Sequence, residues 1–156
     1  RLMSHVSGSS EKVSAWMEEL ARTGKYTVDA ETLAAIQESF AAGYAGEKDC
    51  TEEIRVRYEQ DGYLCDTHTA VAFRVAKACR SDAPMAVLST ASPFKFPRDV
   101  LAALGENVPA GDFAAMAALE EKTGAQAPQT LRELDRQPVR FTRVITPAQI
   151  RAEALR

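Results

Sequence analysis

The pattern of apolar residues predicts a helix-rich α/β chain in which one or two strands belong to a larger sheet flanked by helices. Three observations carry this. Caps and one-sided apolar stripes divide the first 62 residues into helices. A short apolar run, Met85-Ala86-Val87-Leu88, lies between polar turns and reads as a strand buried on both faces. Arg140 to Ile145 alternates with period two, as a small strand does. A buried strand needs neighbours on both sides, and two strands do not make a sheet, so the rest of the sheet is expected from sequence outside these residues. The opening Arg1-Leu2-Met3-Ser4 agrees. It has neither an initiator Met at position 1 nor the look of a leader, and the chain reads as a part of something longer.

Each element has a local reason. Ser9-Ser10 can cap a helix whose apolar face is Val13, Trp16, Met17, Leu20 and Ala21, stopped by Gly24. Asp29 caps the next, with Val28 and Leu33 as a hydrophobic staple and Ile36 and Phe40 extending the stripe toward Gly43. A third is expected from Asp49, with Glu52 three residues on, through Ile54 and Tyr58 to Gly62. Residues 64–69 have no helical period, whereas Ala70 to Cys79 is Ala/Val-rich with Arg74, Lys77 and Arg80 at the surface. That is a loop feeding a helix. The turn Ser81-Asp82-Ala83-Pro84 leads into the apolar run. Pro93 and Pro97 then admit a helix over Arg98–Leu104, ended by Gly105. Further on come an Ala-rich helix with Phe113, Met116 and Leu119, closed by Gly124, and a short helical piece at Thr130–Asp135. Thr146, Pro147 and Gln149 start a terminal helix carrying Ile150 and Leu155. The chain thus divides into a helical segment (1–62), an α/β segment (63–105) and a helical tail with a short strand (106–156).

Composition narrows the function classes. The chain has 156 residues, 46% hydrophobic and 26% charged, which is the make-up of one globular domain. A net charge of −3 argues against nucleic-acid binding, because neutralising phosphates needs a basic face. Residues 129–156 hold six arginines against three acids, and a tail of that kind is ordinarily a solvated surface. No run reaches the roughly 18 apolar residues of a membrane span, and mean hydropathy is −0.25. Cys50, Cys65 and Cys79 form no C-x-x-C pair, and their odd number favours reduced thiols in the cytoplasm. With only His5 and His68 as imidazoles, no metal site is expected.

Two constellations could carry chemistry. In α/β sheets, ligands gather at the carboxyl ends of strands, where Ser89-Thr90-Ala91-Ser92 is expected to stand. Its three hydroxyls suit a ring nitrogen, a carboxylate or a phosphate oxygen, and Lys95 could add a cation. The plain alternative is turn chemistry, with Ser and Thr bonding their own backbone. The second is Asp66-Thr67-His68-Thr69, where the His68 imidazole could donate to a substrate or merely pack at a helix start. No catalytic triad, carboxylate pair or Gly-rich phosphate loop accompanies them.

Leu64 to Ala72, Leu-Cys-Asp-Thr-His-Thr-Ala-Val-Ala, resembles the D-P-H-T-A-V-G stretch of threonine synthases. Val87 to Pro97, Val-Leu-Ser-Thr-Ala-Ser-Pro-Phe-Lys-Phe-Pro, is similar to their L-S-T-A-H-P-A-K-F-P. The order and separation of the two motifs also fit, and weaker likeness runs through most of residues 1–105. Thr67, Ala72, Ser92 and Phe94 depart from the family's Pro, Gly, His and Ala. The resemblance implies the carboxyl-terminal part of a fold-type II enzyme using pyridoxal 5′-phosphate (PLP), which makes threonine from O-phosphohomoserine. It implies that Thr90 and Ser89 meet the cofactor, Thr90 at the pyridine nitrogen, and that His68, Thr69, Ser92 and Lys95 face the substrate. The Schiff-base lysine is expected upstream, so this part alone is expected to be inactive, and its partner is the amino-terminal half of the same enzyme. Two alternatives stand beside this: a binding module without catalysis, and a related PLP enzyme with another substrate.

Overall fold

A computed structural model describes residues 1–79 and 82–155, and in three of its α-helices a side chain at the start accepts from the first free N–H groups. Helix α1 is Leu2–Ser7, α2 Ser10–Thr23 and α3 Ala30–Gln37. Ser9 accepts from the Lys12 N–H and Asp29 from the Thr32 N–H, so both expected caps form. Helix α1 packs against both α2 and α3, and Trp16 of α2 is buried. Helix α3 stops at Gln37 rather than near Gly43, which leaves Phe40 exposed. Of the proposed staple, Val28 is half-buried and Leu33 is exposed.

Helix α4 is Glu47–Asp61 and α5 is Thr67–Ala78. Helix α4 starts two residues earlier than expected, because Asp49 serves as the third residue and accepts from the Gly46 N–H at 3.2 Å. A 3-10 turn at Pro93–Lys95 leads into α6, Pro97–Ala103, and α7 follows at Asp112–Thr123. Helices α4 to α7 enclose the main core, built from Ile54, Cys65, Ala70, Val100, Leu101 and Leu119 with Phe94 and Met116. The segment before α4 closes on this unit. A Cβ at Gly43 would come within 2.8 Å of Val75 in α5, so only glycine fits without displacing that side chain.

The remainder is looser. It consists of α8, Gln129–Arg132, 3-10 turns at Leu134–Arg136 and Pro147–Gln149, and α9, Ile150–Ala154. Gln149 caps Thr146 as expected, yet Ile150 and Leu155 stay exposed.

Both expected strands are absent: among the described residues the fold is all-helical. This corrects the α/β expectation for the chain as it stands. Residues 84–90 are irregular, with Leu88 76% exposed and Val87 only half-buried. Residues 140–145 are likewise irregular, with Phe141 85% and Val144 94% exposed. The reason is physical. A strand's N–H and C=O groups are satisfied by adjacent strands, and with none here neither run gains a ladder nor a surface to cover it. The surface place expected for Arg80 and the turn at Ser81 lie outside the described residues. Among the described residues no helix is long and apolar enough to cross a membrane, and no group of three or more His, Cys, Asp or Glu could hold a metal ion.

Candidate functional site

The amino end of α5 is where the two constellations meet. Asp66 is fully buried and caps the helix. Its Oδ1 accepts from the His68 N–H at 2.8 Å and the Thr69 N–H at 3.3 Å, and its Oδ2 accepts from the Thr69 hydroxyl. The positive end of the helix dipole stabilises the carboxylate there. The Thr69 Oγ1 lies 3.3 Å from the Ser89 Oγ, so a hydrogen bond joins residues twenty apart in sequence. The irregular segment carrying Ser89 and Thr90 is tied to α5 by this contact, and Thr90 itself is exposed.

The other candidates are placed differently. Ser92 caps the 3-10 turn, its hydroxyl accepting from the Phe94 N–H at 3.3 Å. The His68 ring lies against Phe96, centroids 5.0 Å apart, with Nδ1 3.3 Å from Asp66 Oδ1. It borders a cleft of about 460 Å³ shared with Cys50, Thr51, Ile54 and Asp99. Lys95 is exposed and borders an adjoining open cleft of about 550 Å³ with Arg98, Asp99 and Asp112. The two clefts meet at Phe96, Asp99 and Ala102. Neither is lined by Ser89 or Thr90. The structure therefore brings Thr69 to Ser89, brings His68 and Lys95 to neighbouring clefts, and leaves Thr90 at the surface.

Sequence reasoning placed Asp66 beside the site without giving it a task. The signal was there: an Asp three residues ahead of a Thr at a helix start is an N-cap spacing. Phe96, whose ring lies tilted against that of His68, had no such cap spacing and was marked by its place in the K-F-P of the second motif alone. Nor had Glu53, buried in α4 and paired with Lys77 of α5 at 2.6 Å. Arg57 Nε lies 3.0 Å from Glu53 Oε1, but neither atom makes an aligned hydrogen bond, so this contact is one of charge alone. Cys65, next to the cap, is no nucleophile near neutral pH. Burial, helped by the Asp66 charge, pushes its thiol up to about 11.

Known proteins match this chain over part of their own length. The crystal structure of PLP-bound threonine synthase from Brucella melitensis matches with a TM-score of 0.67 and 33% identity, over 91% of this chain and 27% of that one. Threonine synthase from Schizosaccharomyces pombe is 36% identical over 101 residues, 62% of this chain and 20% of its own. The Pseudomonas aeruginosa threonine synthase is 31% identical over 103 residues, 64% of this chain and 22% of its own. The family model described as "Threonine synthase, C-terminal" matches residues 69–153, and the chain belongs to that family. It spans about a fifth of the length of the curated relatives it matches.

Proposed function

We propose that this chain is the carboxyl-terminal portion of a threonine synthase-like enzyme that converts O-phosphohomoserine and water to threonine and phosphate with PLP. The observation that carries the reading is the bond between Thr69 and Ser89, which joins the two family motifs at one point. The residues suit one edge of the cofactor. An uncharged hydroxyl loop, pinned at Ser89 and open at Thr90, fits a pyridine nitrogen, which takes one hydrogen bond and no counter-ion. When bound, PLP supplies an electron sink for the substrate's carbon skeleton.

The chain's own residues position groups. Thr90 would give its proton to the ring nitrogen, and a neutral partner leaves that nitrogen largely unprotonated. Lys95 offers a cation to the substrate phosphate, and His68 a ring N–H at the neighbouring cleft. Remaining parts of the site belong to the amino-terminal half of the same enzyme. The deciding experiment is phosphate release from O-phosphohomoserine by the full-length, PLP-loaded protein. Phosphate and threonine are expected in equal amounts, and a folded, loaded protein that yields neither would overturn the reading.

One observation favours a second reading, a related PLP enzyme with another substrate. Ser92 stands where the family has His, and its hydroxyl is already engaged as a cap. Its proton stays free to donate, but the shorter side chain, held to the turn, extends less far toward a phosphate than an imidazole does. Amino acids lacking a phosphate, offered to the same protein, distinguish the two.

A further inference from the structure

We infer that Asp66 and Thr69 form a hydroxyl relay that fixes Ser89 as a hydrogen-bond acceptor toward the ligand. The argument follows the protons. A carboxylate only accepts, and Asp66 already accepts from two backbone N–H groups, so the short contact to Thr69 takes the Thr69 proton. A threonine hydroxyl has one proton. With it committed to Asp66, Thr69 meets Ser89 through a lone pair, and the Ser89 proton must point back at Thr69. Asp66 and Thr69 are both buried, so water does not compete for the Thr69 proton, and only Ser89 reaches the surface.

Ser89 then has lone pairs alone to offer outward. A ligand atom that meets it must bring its own proton, as an ammonium, a ring N–H or a hydroxyl does, and a bare phosphate oxygen is refused. Thr90 is outside the relay and keeps its proton to give. Adjacent hydroxyls thus take opposite roles, and Asp66 and Thr69, which need not touch ligand, are positioning residues. The inference rests on the functional reading above, because it takes the Ser89–Thr90 loop to face PLP.

The test uses the full-length protein as wild type, Thr69→Ser, Thr69→Val and Asp66→Asn, titrated with PLP by fluorescence, with the melting temperature of the PLP-free form in parallel. Thr69→Ser keeps the relay and should bind within about twofold of wild type. Thr69→Val cuts it, frees Ser89 to rotate and should weaken binding about threefold to tenfold. Asp66→Asn should weaken it most. Its amide donates to Thr69, the chain of protons turns over, and Ser89 presents a proton to a ligand proton. The melting temperatures should not follow this order, since Asn caps a helix about as well as Asp. Equal affinity in all variants, or Thr69→Val binding more weakly than Asp66→Asn, overturns the inference while leaving the functional reading intact. A wild-type protein that binds no PLP overturns both.

Discussion

Thr90 and Ser89 are neighbours with different constraints, and the difference sets what substitution should do. Among the described residues the Thr90 hydroxyl has no hydrogen-bond partner, whereas Ser89 is tied to α5. Under the proposed function, losing the Thr90 donor removes a buried hydrogen bond once the site is complete, worth on the order of 1–3 kcal/mol. If it is felt in the chemical step, Thr90→Ala should slow turnover by about tenfold to a hundredfold, at about 1.4 kcal/mol per decade. Thr90→Ser keeps the donor and should be far milder. Turnover per folded molecule, with melting temperature as control, checks both. Cys65 gives a prediction in pH. Its thiol goes from an ordinary 9.0 to about 11 on folding, so the unfolded chain loses this proton first. The stabilisation is intact below about pH 9 and is lost as pH rises toward about 11, by about 3 kcal/mol at most. Urea stability of wild type minus that of Cys65→Ala should fall over that window. A flat difference would show that the thiol ionises equally in both states.

At the scale of elements, α5 is held at its start by a buried cap and along its length by contacts with α4. These contacts are unequal. Arg74 and Asp49 pair at 2.9 Å, but both are well exposed, and such a pair contributes about 0–1 kcal/mol. Lys77 with the buried Glu53 matters more, because removing the lysine leaves a carboxylate under the surface with only the charge of Arg57 beside it. Lys77→Met should therefore destabilise more than Arg74→Met, read as urea midpoints of the two variants. The deeper hold is apolar. Leu119 of α7 is completely buried against the same core as Ile54 and Leu101. Leu119→Ala should cost about 2–5 kcal/mol, the loss of burial plus the cavity left behind, and the same measurement reads it.

For the whole molecule, the telling feature is apolar surface with no cover. Met85 and Leu88 precede the Ser89–Thr90 loop, and Phe141 and Val144 stand out from the tail, all exposed. In the proposed full-length enzyme the first pair enters the sheet that this chain alone does not build. Leu88→Glu should then separate the two contexts. In the 156-residue chain it should change stability by no more than about 0.5 kcal/mol, as surface substitutions do. In the full-length protein it should cost several times that, because a charge would be buried without a partner. Equal, small effects in both would place Leu88 at the surface of the complete enzyme too.

Much of the helical order follows from local chemistry that the sequence states outright. Ser9, Asp29 and Asp66 bond the N–H groups within three residues of themselves, and Pro97 starts α6 whatever lies around it. Family membership was legible for a related reason, since the two motifs are runs of adjacent residues. The apolar run at 85–88 and the alternation at 140–145 misled because the sequence shows which residues suit a strand and not whether a neighbouring strand exists to pair with them. Tertiary structure alone decided the meeting of Thr69 and Ser89, the Phe96 platform beneath His68 and the burial of Glu53. Each depends on α4, α5 and the 84–97 segment packing together, and contacts across such distances in sequence come from the packed core and from no local preference.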